Sequence, residues 1–249
     1  MNKKILIIGC VIFLVVLFIT FPYIYSHDNK DYNSYVEKYA PGKLISLNGK
    51  QMHYVEKGKG EVVICIHGFL YNTTMWKKNI DSLASRYHVY AIDLFGWGFS
   101  ERLKPDSYSF ELYKNQVIGF MDALGIKKAH LIGQSMGGGT SVMIAANHPD
   151  RINKIILVDP AVLPYEFGFN AKLYALPFVG EFMNSLPTLA LFKDLIKTLW
   201  FYDPKTVTDE YADEVLLSIR IKGTYDGAMH IHRNVLRGKM LKAEAQMLA

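Results

Sequence analysis

One serine in this 249-residue chain stands where it can act as a nucleophile. Gly133-Gln134-Ser135-Met136-Gly137 follows the apolar run Ala129 to Ile132 and opens a stretch of helical composition starting near Met136. The G-x-S-x-G spacing is weak evidence alone and gains weight from that strand-to-helix context. So tight a turn forces the serine into a strained backbone conformation. Neighbouring side chains must nearly vanish, hence Gly133 and Gly137. The hydroxyl then stands clear of the sheet, and the start of the following helix favours negative charge developing there. The chemistry is acyl transfer through a serine-bound intermediate.

An acyl-transfer serine also needs donors for the oxyanion. His67-Gly68-Phe69 follows the apolar run Val62 to Ile66, and a backbone amide at this turn can pair with the amide after the nucleophile. The expected donors are the Phe69 and Met136 amides. His67 invites a proton-transfer role, but a hydrogen-bonding prop for the loop accounts for it better. His230 and His232 come late enough in the chain to serve as a relocated base. Two apart, they face different sides of a helix, which argues against a metal pair. Asp159, before Pro160, reads as a turn cap that can also orient a histidine.

Elements must exist to position these residues. Leu44 to Leu47 and Met52 to Glu56, joined by Asn48-Gly49, predict a β-hairpin. Val62 to Ile66, Val89 to Ile92, Ala129 to Ile132 and Ile155 to Val158 read as buried strands. Between them Thr74 to Arg86, Phe110 to Leu124 and Met136 to Asn147 have helical period. Strands alternating with helices predict an α/β fold, a mostly parallel sheet with helices on both faces. After Pro160 the pattern turns to aromatic-rich helical stretches broken by Pro164, Pro177, Pro187 and Pro204, with Phe192 and Trp200 among the aromatics; the simplest expectation is a lid, and further core helices fit the composition equally.

His67-Gly68-Phe69, Asp93 to Ser100, Gly133 to Gly138 and Leu157 to Ala161 occur in the order and spacing of a known family. The chain resembles the single-domain α/β hydrolases, which include carboxylesterases, C–C bond hydrolases and cofactor-free haloperoxidases. The resemblance covers residues 43 to about 240. It implies that the turn from Asp93 to Ser100 is structural and lines the site, with the Asp93 carboxylate satisfying loop amides. Serine rather than aspartate at the elbow implies ester-type hydrolysis of a small acyl or carbonyl substrate, and the aromatic-rich lid argues for an apolar substrate portion. No metal or organic cofactor is implied. The family's acid and base follow two further strands, and nothing after Pro160 matches them. The last two strands are therefore expected to be absent, and truncation of a longer enzyme is favoured over a naturally short, degenerate chain. A non-catalytic binding protein on the same scaffold is the rival reading.

Composition bounds the rest. The net charge of +5 includes Lys3 and Lys4, and no basic run supports nucleic-acid binding. Cys10 and Cys65 lie in unrelated segments and give no disulfide framework. Ile5 to Tyr25 carries no charge and would reach about 30 Å as a helix, which predicts a signal-anchor transmembrane helix. Lys3 and Lys4 would hold the N-terminus in the cytoplasm and leave the hydrolase domain outside. The expected organisation is an anchor at 1–25, a linker at 26–41, an α/β core at 42–160 and a helical lid region at 161–249.

Overall fold

A computed structural model describes residues 3–162, 169–185, 193–194, 197 and 201–236 of the chain. Asn48 and Gly49 both adopt left-handed conformations (φ 51° and 78°), the turn that joins β1 (Lys43–Leu47) to β2 (Lys50–Lys57) with matching strand twist. β3 (Val62–Ile66), β4 (His88–Ile92), β5 (Ala129–Gln134) and β6 (Ile152–Val158) complete a six-stranded sheet of order β1-β2-β4-β3-β5-β6. The first two pairings are antiparallel and the others parallel. Alternation along β3 serves both faces: Ile64 and Ile66 join one apolar cluster, Val63 and Cys65 the other.

Helices cover those faces. α1 (Lys3–Ile24) and α2 (Tyr32–Tyr39) precede the sheet, and α3 (Ile80–Ala84) packs Ile80 into the smaller cluster. The run from Thr74 to Arg86 is not one helix: a 3-10 turn, Thr73–Trp76, precedes α3. Tertiary partners pin that turn, because Thr73 N–H donates to Asp93 and the Asn72 amide donates to Val215 O. α4 (Phe110–Ala123) begins at Ser109, whose side chain accepts from Leu112 N–H, and the chain turns at left-handed Gly125. α4 and α5 (Met136–Asn147) bury Tyr113, Val117, Phe120, Met136 and Ile144 in the larger cluster. Beyond β6 come α6 (Phe169–Tyr174), α7 (Val179–Ser185), α8 (Asp209–Leu217), α9 (Thr224–His230) and a π turn, Ile231–Val235. Among the described residues no strand follows β6. Pro164, Pro187, Phe192, Trp200 and the helical tail expected at Met240 to Ala249 lie outside them.

The expected membrane anchor is corrected here. Among the described residues no helix is long and apolar enough to cross a membrane. In α1 the unbroken exposed apolar stretch runs from Leu6 to Leu17, about 18 Å at 1.5 Å per residue, against a hydrocarbon core of about 30 Å, with Ile24 exposed again at the helix end. From Phe18 to Phe21 the helix is half-buried against the globular body, with the Phe18 and Phe182 rings 4.3 Å apart. The transmembrane helix at 1–25, the signal-anchor assignment, the membrane as partner and the cytoplasmic N-terminus with an outside domain all lose their support. The segment read as a linker is also structured. α2 buries Tyr35 and Val36 against Phe99 and Ile221.

β6 forms an edge of the sheet, with Ile156 and Val158 about half exposed (56% and 47%). Such an apolar edge invites association. The chain is expected to bind hydrophobic dyes and to form oligomers on sizing columns, and Ile156→Lys should reduce both. A monodisperse, dye-silent parent chain with a sharp melt would contradict this.

Candidate active site

Ser135 occupies the junction of β5 and α5 with φ 49° and ψ −113°, a region non-glycine residues rarely enter. Hydrogen bonds hold it there. Its N–H donates to Val158 O (3.0 Å), and its carbonyl accepts from Ala161 N–H (2.8 Å) and Gly139 N–H (3.0 Å). The flanking glycines are required by close approach. A Cβ at Gly133 would overlap Gly137 O and Ser141 Oγ, and one at Gly137 would overlap the carbonyls of Ile66 and His67. The start of α5 therefore sits directly on the end of β3.

That contact brings the second turn to the serine. A Cβ built on Gly68 would lie 3.2 Å from Ser135 Cβ and would overlap the Gln134 side chain. Phe69 follows immediately, and the turn closes with Tyr71 N–H on Gly68 O (3.3 Å). Met136 is the first residue of α5, where helix amides lack intrahelical acceptors. Ser135, Gly68, Phe69 and Met136 thus share one corner of the molecule. The strained serine, the adjacent turn and the helix start are the geometry that acyl transfer uses.

His67 is fully buried and both of its ring nitrogens are engaged. Nε2 accepts from Leu94 N–H (3.0 Å), so Nδ1 carries the proton and donates to Gly68 O (2.7 Å). Burial holds its pKa below the usual histidine value, against the pull of Asp93 and Gly68 O. A neutral imidazole fixed at both ends positions the Gly68 turn and has no free nitrogen for a serine proton.

Asp93, fully buried, gathers the loops at this end of the sheet. One carboxylate oxygen accepts from Thr73 N–H (2.7 Å), the other from Phe99 N–H (2.8 Å) and His53 Nδ1–H (2.7 Å). His53 Nε2 donates to Pro41 O, so both its nitrogens act as donors, as in an imidazolium. Burial by itself would raise the Asp93 pKa, but the His53 charge and hydrogen bond carry it below the usual value. Burial likewise disfavours His53 as a cation, and Asp93 with Pro41 O outweighs it and raises its pKa. Sequence reasoning missed His53. Its neighbours Met52 and Tyr54 are also buried, so alternation along β2 does not single it out, and only pairing with β4 brings it to Asp93.

The helices after β6 are tied to this corner. Arg102 donates to Gly98 O, Ser100 O, Ser218 O and Thr224 Oγ1, joining the Asp93 to Ser100 turn to α8 and α9. His232 is buried in the π turn, its ring 6.2 Å from Phe69 and 5.1 Å from Tyr174. His230 lies on another side, against Asn234. Asp159 (φ 46°) is exposed beyond β6, and among the described residues no histidine pairs with it. Among those residues no group of three or more His, Cys, Asp or Glu side chains is placed to hold a metal ion.

A mostly parallel sheet with a serine on the β5–α5 turn and helices packed on both faces defines an α/β hydrolase. The alpha/beta hydrolase fold family matches residues 61–197, and the chain belongs to it. It is similar to a 2-hydroxy-6-oxononadienedioate/2-hydroxy-6-oxononatrienedioate hydrolase of Burkholderia vietnamiensis (31% identical; 64% of this chain, 57% of the relative). It is also similar to a 2-hydroxy-6-oxo-6-phenylhexa-2,4-dienoate hydrolase of Comamonas testosteroni (33% identical; 70% and 61%). The chain thus spans less than two thirds of these relatives' length. A meta-cleavage product hydrolase of Pseudomonas fluorescens, solved with acetates, superposes with a TM-score of 0.64 at 28% identity, over 78% of this chain and 72% of that one.

The buried pair generates a stability prediction. His53→Asn leaves the Asp93 carboxylate without its counter-charge and should cost about 3–5 kcal/mol in urea unfolding. The pH dependence follows from both shifts. His53 is raised from 6.5, so its contribution is full below pH 6.5 and fades as pH climbs through the raised value. Asp93 is lowered from 3.8, so its contribution is full above pH 3.8 and fades as pH falls through the lowered value. The pair should stabilise most between pH 3.8 and 6.5. The decline in stability above that window should be absent in His53→Asn.

Proposed function

We propose that the chain is a serine hydrolase of esterase type that cleaves a small, largely apolar acyl or carbonyl substrate through a covalent Ser135 intermediate. The observation that carries this reading is Ser135 itself, held at φ 49° at the head of α5 with the Gly68 turn against it. Ser135 Oγ would attack the carbonyl carbon, and the oxyanion would lie between the Phe69 and Met136 amides. Each such donor is worth about 2.7–4 kcal/mol in the transition state. The start of α5 adds its positive end to the same place. The relatives named as hydrolases of 2-hydroxy-6-oxo acids support a carbonyl substrate, and the aromatic rings of Phe69, Trp97 and Tyr174 support an apolar one.

The serine proton needs a destination. His67 and His53 are committed to structural bonds, and His232 is the described histidine that comes beside the Phe69 ring. Among the described residues no histidine is hydrogen-bonded to Ser135. That observation favours a second reading, a ligand-binding protein on the hydrolase scaffold that turns over little or nothing.

A p-nitrophenyl butyrate assay with intact-mass analysis tests both. The chain should acquire one butyryl adduct on Ser135 as p-nitrophenol leaves, and Ser135→Ala should remove it. Turnover without an engaged base should stay within about 10³–10⁴-fold of the reaction in water. Faster turnover that collapses in His232→Ala would make His232 the base. Turnover unaffected by Ser135→Ala, with no adduct, would remove the serine-hydrolase reading. A Ser135 adduct without turnover would favour the binding protein.

A further inference from the structure

We infer a second small-molecule site in this chain, none of whose walls belongs to the Ser135 elbow or the His67 to Phe69 turn. It takes an uncharged, single-ring or short-chain molecule bearing one hydroxyl or carbonyl oxygen. The cavity holds about 370 Å³, within the ~300–1,000 Å³ usual for small-molecule sites. Its apolar walls are Tyr39, Pro41, Val55, Ile80, Phe99 and Leu217, drawn from the segment before β1, from β2, α3 and α8, and from the turn after β4.

Three walls are fixed by the buried pair behind them. Pro41 O accepts from His53, and the Thr73 and Phe99 amides donate to Asp93. The cavity is therefore preformed, so a ligand bears little of the cost of ordering its walls.

The polar lining selects the ligand's head. Thr73, more than nine-tenths buried, and Thr74 border the cavity, and among the described residues no hydrogen bond engages either hydroxyl. They can donate to or accept from one neutral oxygen. The charges at the rim cancel each other: Lys77 Nζ reaches both Glu214 oxygens at 2.6 and 2.8 Å. An ionised ligand would lose water and find no unpaired counter-charge, whereas an alcohol or ketone loses little.

Fluorine NMR of trifluoromethylbenzyl alcohol with the full chain tests this site. Saturable binding is expected, unchanged by Ser135→Ala. Leu217→Phe and Val55→Phe, each filling the cavity from a different wall, should weaken it by about tenfold or more while leaving circular dichroism unchanged. If one variant fails to fold, the other decides. Trifluoromethylbenzoate should bind about tenfold more weakly than the alcohol. No saturable binding overturns the proposal, and so does binding that survives both filling variants. Equal binding of the carboxylate overturns the uncharged-ligand assignment. Since the readout is binding in Ser135→Ala, failure here is distinguishable from failure of the hydrolase reading.

Discussion

A buried carboxylate organises this molecule. Asp93 sits at the end of β4 with no access to water, where an unpaired charge would be prohibitive. It is tolerated because His53 supplies a counter-charge and the Thr73 and Phe99 amides supply donors. Those partners come from β2, from the loop after β3 and from the turn after β4. Satisfying one carboxylate therefore fixes three chain segments at once. Its own backbone joins the network: Asp93 O accepts from Ser100 Oγ and Gln116, and Ser100 Oγ in turn accepts from His53 N–H. Few loop conformations meet all these demands.

The corner that holds Ser135 inherits this order. The segment from Gly68 to Thr73 is held at one end by His67, which bridges Leu94 N–H and Gly68 O, and at the other by Asp93. Phe69 lies between, its ring packed edge-on against Trp97 at 5.1 Å. The elbow is placed independently, through Val158, Ala161 and the glycines that let α5 approach β3. Two separately determined turns thus meet at one point, which is how a fold presents reacting groups on rigid supports. The helices after β6 join through Arg102 and through Asp28, whose carboxylate accepts from Gly223 and Tyr225 N–H at the start of α9.

Much of the sheet was legible because its signals are local. The β3 run Val62–Ile66, the Asn48-Gly49 turn and the glycine-flanked serine each state a backbone requirement within a few residues. The helix read across Thr74 to Arg86 fails for the opposite reason. Its first turn is pinned by Asp93 and by α8, neither of which is visible in the local period. The N-terminal apolar run misled in the same way. Hydropathy registers every apolar residue, but Phe18 and Phe21 are spent on Phe182, and among the described residues no helix is long and apolar enough to cross a membrane.

The sequence alone determined the α/β class, the strand order in the chain and the serine at the strand-to-helix turn, since each depends on periodicity or on a short motif. Tertiary structure alone decided that His53 is the partner of Asp93, that both nitrogens of His67 are taken up, that His232 comes beside Phe69, and that Thr73 and Phe99 wall a separate cavity. Apart from the His67 bond to its neighbour Gly68, the paired contacts join residues 27 to 163 positions apart in the chain. No local pattern encodes such pairs, because they arise only when strand pairing and burial bring distant groups to the same place and shut out water as a partner.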